Sequence, residues 1–296
     1  MVGTGAIGTY VFQGFSVSIS ADGNTAIIGG CADSSNYGAA WVFTRSAGVW
    51  AQQGSKLVGT GAIGNDVYQG NSVSISADGN TAILGADGDN YRVGAAWVFS
   101  RSAGVWTQQG SKLVGTGAIG PSGQGLSISI SADGNTAIVG GYDDSSSTGA
   151  SWIYTRSAGV WSQQGSKLVG TGAAGPNVNQ GYSVSISADG NTAIVGGREA
   201  AWVFTRSAGI WAQQGSKLVG TGAIGTYVYQ GISVSISADG NTAIVGGLGD
   251  NNYVGAAWVY TRSAEVWTQQ GSKLVGTGAI GSYVKQGSSV SISADG

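Results

Sequence analysis

Histidine is absent from this sequence, and cysteine occurs once, at Cys31. A lone thiol closes no intramolecular disulfide, and a nucleophilic cysteine needs a basic partner such as the missing histidine. Cys31 is therefore read as an incidental loop residue. Only 9% of the residues are charged and the net charge is −2. A nucleic-acid surface needs a basic stripe, so phosphate-rich partners are not expected. No run of about 18 apolar residues occurs, so no helix is expected to span a membrane. The opening residues Met1 to Gly5 supply neither the basic nor the apolar part of a secretion signal.

Proline is also scarce, at 2 residues, whereas glycine reaches 55 and is joined by 10 tryptophans and 12 tyrosines. There is no Gly-X-Y period, and the aromatic rings can bury enough surface to offset chain ordering, so disorder is excluded.

The organising signal is repetition. Ser-Ala-Asp-Gly recurs with its aspartates at Asp22, Asp78, Asp133, Asp189, Asp239 and Asp295, spaced by 56, 55, 56, 50 and 56 residues. Trp41, Trp97, Trp152, Trp202 and Trp258 are each followed nine residues later by Trp50, Trp106, Trp161, Trp211 and Trp267. Five copies result, at about 15–70, 71–125, 126–181, 182–231 and 232–287. Residues 274–296 repeat residues 1–23, which implies a duplicated extra strand near 288–293.

Inside a copy the apolar period is two. Ser16 to Ser20 alternates as strand A, Ala21-Asp22-Gly23-Asn24 is a tight turn, and Thr25 to Gly29 is strand B. Ala39 to Thr44 is strand C, Arg45 to Gly48 a hairpin, and Val49 to Gln53 strand D, continuing through Lys56-Leu57-Val58. Four short antiparallel strands repeated at this period describe the blade of a β-propeller, all-β and most simply five-bladed. The duplicated end leaves open a larger ring completed between chains, or a swap of strands between them.

The copy resembles the FG-GAP repeat, the unit of the integrin α-chain head and of bacterial and viral surface proteins. The residues that carry the resemblance are Gly14-Phe15-Ser16-Val17, Gly29-Gly30, Gly85-Ala86-Asp87, Gly38 to Phe43, and the Trp50 to Leu57 block. It implies a propeller, an extracellular or cell-surface setting, and ligand binding on one face. The family's calcium loop is not matched: Ser20 to Thr25 offers one carboxylate and one amide where a hard cation wants about six to eight oxygens. Neither a metal nor another cofactor is expected. The acids of the B–C loops, such as Asp87, Asp89, Asp143 and Asp144, are read as solvated turns, and the repeated Arg and Lys as surface balance or a repeated hydrogen bond.

In a four-stranded meander the A–B and C–D turns share one face, and the B–C and D–A loops share the other. The copies differ mainly in the second set. Tyrosine gives broad contact at small entropic cost, which makes Tyr37, Tyr68, Tyr91, Tyr142, Tyr227 and Tyr253 the candidate ligand-face residues. No pair of groups suited to general acid–base work is apparent, so catalysis is not expected. The expectation is a non-catalytic module that binds protein or glycan through the variable loops, against the alternative of a structural spacer.

Overall fold

The computed structural model describes residues 1–281 and 283–296. The first sheet holds β1 (Ser16–Ile19), β2 (Thr25–Gly30), β3 (Ala39–Ser46) and β4 (Val49–Gln52). The second holds β5 (Ser72–Ile75), β6 (Thr81–Ala86), β7 (Ala95–Ser102) and β8 (Val105–Gln108). The third holds β9 (Gln124–Ile130), β10 (Thr136–Gly141), β11 (Ala150–Ser157) and β12 (Val160–Gln163). The fourth holds β13 (Ser183–Ile186), β14 (Thr192–Gly196), β15 (Ala201–Ser207) and β16 (Ile210–Gln213). The fifth holds β17 (Gln230–Ile236), β18 (Thr242–Gly247), β19 (Ala256–Ser263) and β20 (Val266–Gln269). Every sheet is an antiparallel meander, and the five form the blades of a β-propeller.

Local chemistry sets each reversal. In the A–B turn, Asp22 Oδ1 accepts the Asn24 amide at 2.9 Å, and Gly23 takes φ +66°. At the C–D hairpin Ala47 and Gly48 both have positive φ, the two-residue geometry that matches the twist of paired strands. Strand D is shorter than the sequence predicts. β4 stops at Gln52, Gly54 turns the chain with φ +72°, and Leu57 returns to Ala40 only through an isolated bridge.

The core lies between sheets. Ile27, Ala40 and Val42 of the first blade pack against Val73, Ile75, Leu84, Trp97 and Phe99 of the second. Trp97 is fully buried, donates its indole N–H to the Thr60 carbonyl at 2.8 Å, and lies against Gly59, where a Cβ would come within 2.2 Å of the ring. Replacing such a ring by alanine costs roughly 3–5 kcal/mol in packed cores. Gly85 answers a similar need, since a Cβ there would sit 2.1 Å from the Gly125 carbonyl of the next blade.

The inner strands β1, β5, β9, β13 and β17 pack side by side in chain order, and among the described residues no comparable packing joins β17 to β1. A chain of backbone hydrogen bonds runs along them: Ala21 to Ala77, Ala77 to Ala132, Ala132 to Ala188, Ala188 to Ala238, and Ala238 to Ala294. Residues 288–293 thus lie where the inner strand of a following blade would lie. Val290 donates to Ser233 Oγ at 3.0 Å and Ile292 to Ser235 Oγ at 3.4 Å. No strand is formed by these residues among the described ones.

Candidate functional site

The B–C loops and D–A linkers share one face because they hydrogen-bond to each other. Ile63 donates its amide to Asp89 Oδ1 at 2.7 Å, Asn90 donates to the Ile63 carbonyl at 2.8 Å, and Tyr68 donates to the Asn36 carbonyl at 2.8 Å. The opposite face carries the A–B and C–D turns, joined where Arg101 Nε donates to Asn80 Oδ1 at 2.9 Å.

Each long B–C loop contains three consecutive residues with positive φ: Ser34 to Asn36, Asn90 to Arg92, Ser145 to Ser147 and Asn251 to Tyr253. Non-glycine residues resist that conformation, so something must hold it. The anchor is the aspartate that opens each turn, which corrects the reading of these acids as solvated. Asp33, Asp89, Asp144 and Asp250 are buried. Each accepts a linker amide with Oδ1 and a lysine ammonium with Oδ2: Lys56 with Asp33, and Lys112, Lys167 and Lys273 with Asp89, Asp144 and Asp250 at 2.5 Å.

The fourth blade makes the same clamp with different parts. Its B–C loop lacks the left-handed turn, and Glu199, one methylene longer than aspartate, accepts the Ala174 amide at 2.9 Å and Lys217 Nζ at 3.0 Å. The signal for this pairing stood in the sequence as one lysine and at least one loop acid per copy. What the sequence lacked was any indication that the acid turns inward.

Two clefts open on the loop face. The first, ≈ 520 Å³, is lined by Gly64, Asn65, Asp66, Tyr68, Asp87, Gly88, Tyr91 and Arg92. Burial holds the Asp87 carboxyl above the ordinary range, and Asn71 Nδ2 donates to it at 3.0 Å. Burial, reinforced by the nearby Asp66 and Asp87 charges, likewise raises the Tyr68 phenol. The second cleft, ≈ 430 Å³, is bounded by Pro176, Asn177, Arg198, Glu199, Tyr227 and Tyr229 among others.

The six candidate tyrosines fall into separate settings. Tyr68 and the exposed Tyr91 line the first cleft together. Tyr227 borders the second, beside Tyr229 at 6.2 Å between ring centres. Tyr253 continues that row, 6.3 Å from Tyr229 and 5.2 Å from Tyr283. Tyr37 packs on the core between the first two blades, and Tyr142 meets Tyr182 edge-on at 6.0 Å while its hydroxyl accepts from Arg92. Arg92 was not singled out by sequence. Its only mark was being the arginine at a turn position held elsewhere by Asn36, Ser147 and Tyr253. Cys31 is buried, which pushes its thiol up and away from reactivity.

The aspartates of the A–B turns are saturated by local donors. Asp78 receives Ser76 Oγ at 2.5 Å, the Asn80 amide at 2.9 Å and Asn80 Nδ2 at 3.0 Å.

No family model and no curated protein matches the sequence. Solved structures do resemble the fold. A Bacteroides uniformis protein provisionally named a 6-phosphogluconolactonase aligns with TM-score 0.57 and 12% identity over 88% of this chain and 70% of its own. A protein of unknown function from Desulfotomaculum acetoxidans gives 0.52 and 15%, covering 89% and 74%. Hydrazine synthase of Kuenenia stuttgartiensis gives 0.51 and 14%, covering 91% and 68%. At such identities the likeness concerns the repeated four-stranded architecture alone.

Proposed function

We propose that this protein is a non-catalytic binding module that takes a carbohydrate on the face of its B–C loops and D–A linkers. The observation that carries the reading is the cleft of the second blade, where Tyr68 and Tyr91 stand with Asn65, Asp66, Asp87 and Arg92. A sugar ring offers apolar C–H faces to aromatic rings and hydroxyls to carboxylates, amides and guanidinium groups, and this lining supplies both kinds of contact. Tyrosine orders few torsions when it binds, which favours it in such a role.

Most of the remaining acids are engaged in structure. The buried loop aspartates hold lysines, and the turn aspartates hold serine and asparagine donors, so neither set is free to move protons. The FG-GAP resemblance, through Gly14-Phe15-Ser16-Val17 and Gly29-Gly30, supports a cell-surface or extracellular setting. A structural spacer is the second reading, favoured by Tyr37 and Tyr142, whose rings are spent on packing.

The test is a glycan array followed by titration of the best hit against Tyr91→Ala and Tyr68→Ala. Loss of a stacked ring should weaken binding about tenfold or more, at about 1.4 kcal/mol per decade. Silence across the array, or binding indifferent to both substitutions, would remove the carbohydrate reading of this cleft.

A further inference from the structure

The fourth blade is the short copy. Asp189 and Asp239 stand 50 residues apart, where the same aspartates of the other copies are 55 or 56 apart. The shortfall lies in the B–C loop: residues 197–200 join β14 to β15, whereas 87–94 join β6 to β7. The left-handed turn of the other four blades is missing here, and the cleft of ≈ 430 Å³ opens beside the shortened loop. Its whole lining comes from the fourth blade and the linkers on either side of it.

The charge of this cleft differs from that of the first. Arg198 is exposed, and among the described residues it is the one arginine whose guanidinium meets neither a hydrogen-bond acceptor nor a carboxylate. Its backbone is nevertheless fixed, because its amide donates to the Val178 carbonyl at 2.7 Å. Glu199 does not neutralise it, since that carboxylate already holds Lys217 Nζ at 3.0 Å and the Ala174 amide at 2.9 Å. One positive charge is left over, whereas the first cleft sets Asp66 and Asp87 beside Arg92. The aromatic side is fixed as well. Tyr227 is 72% exposed and lies 6.2 Å from Tyr229 with 25° between the ring planes. Tyr229 is backed by the next blade, where a Cβ on Gly249 would come within 2.8 Å of its ring.

We propose that the cleft of the fourth blade binds a sugar that carries a carboxylate, a uronic acid residue, an assignment that rests on the carbohydrate reading of the loop face and adds a second site to it. The Arg198 guanidinium is a planar fork that pairs with both oxygens of a carboxylate. The pyranose ring lays its C–H groups on Tyr227, and Asn177 on the opposite linker takes a hydroxyl. Ring and amide are held by the loops that carry them, so little ordering is left for the bound state. The acids of the first cleft would repel the same ligand, which separates the two sites by charge.

Calorimetric titration of the whole chain with a galacturonic acid trisaccharide, and with the same trisaccharide after reduction of its carboxyl groups, tests the assignment. Reduction should weaken binding about tenfold or more, and added salt should narrow the gap by screening an exposed pair. Arg198→Gln should erase the difference between the two sugars, while Tyr227→Ala should weaken both about tenfold. Both side chains are exposed, so neither substitution threatens the fold. Equal affinity for the two sugars, or an acid preference that survives Arg198→Gln, overturns the assignment and leaves the carbohydrate reading of the first cleft intact. Silence toward both trisaccharides at about millimolar concentration also overturns it, and the wider reading falls with it only if the glycan array is silent too.

Discussion

Trp106 of the second blade donates its indole N–H to Gln53 Oε1 of the first at 3.0 Å, and Arg101 Nη1 shares the same oxygen at 3.0 Å. One amide therefore satisfies two donors that the seam half-buries. Replacing the equivalent Gln109 by leucine strands Trp161 and Arg156 together, and unsatisfied donors cost about 1–3 kcal/mol each when water is excluded. Gln109→Leu should lower the urea midpoint accordingly. Gln270→Leu removes the same side chain where it is exposed to solvent, and the change should stay within about 0.5 kcal/mol.

The buried clamps separate by exposure. Asp89 is fully buried against Lys112, while Glu199 and Lys217 are 25% and 23% exposed. Lys112→Met leaves a carboxylate without its cation in a dry site, a loss of about 3–5 kcal/mol. Lys217→Met leaves Glu199 able to reach water and should cost under about 1 kcal/mol. Equilibrium denaturation of the two variants side by side measures the difference, and equal losses would contradict the burial argument.

The blades were legible because repetition supplied the period and alternation supplied the strands. Ser16-Val17-Ser18-Ile19 pairs with β2 in an unbroken register, Ser16 opposite Gly29 and Ile19 opposite Ala26, as period two requires. The loops were legible only in part. Asp89 looked like any polar turn residue, because nothing in Asp-Gly-Asp-Asn distinguishes the acid that points inward from Asp87, which lines a cleft. That distinction depends on the linker of the same repeat path returning an amide and a lysine to one spot, a tertiary fact invisible to local pattern. The candidate tyrosines show the same limit. Tyr37 and Tyr91 occupy similar loops, yet one ring faces the core and the other water.

Acid should unlock the A–B turns. At Asp22 and Asp239, hydrogen bonds from Ser20 or Ser237 and from the following asparagine hold the carboxyl below its ordinary value. At Asp78, Asp133 and Asp189, burial opposes ionisation, and the serine and asparagine donors outweigh it with help from Arg101, Arg156 and Arg206. A folded-state pKa below the unfolded one means that the stabilisation is complete above the unfolded value and disappears as pH falls through the folded value. Asp87 acts in the opposite sense, because its raised carboxyl favours folding most when protonated. With five turns against one cleft acid, the urea midpoint should hold from about pH 7 to pH 5 and fall below about pH 4. Asp133→Ala should start lower and lose less over the acid range.

Two copies depart from the others at the end of strand C, and the departure is costly. Phe43, Phe99 and Phe204 stand where the third and fifth blades have Tyr154 and Tyr260. Both tyrosine rings are 3% exposed, and neither hydroxyl has a hydrogen-bond partner among the described residues. Burial alone drives both phenols far above the ordinary tyrosine range, as expected of a site that offers an ionised oxygen no support. A buried hydroxyl that gives up water for no protein partner carries a desolvation cost of about 1–3 kcal/mol. The rings themselves fit, since three blades hold the same aromatic shape at this position. Tyr154→Phe and Tyr260→Phe should therefore each raise stability by about 1 kcal/mol. The sites belong to different blades without shared partners, so the double variant should gain the sum within about 0.5 kcal/mol. Thermal and urea denaturation of the single and double variants checks both statements. A loss of stability in either single variant would mean that the hydroxyl is bonded after all.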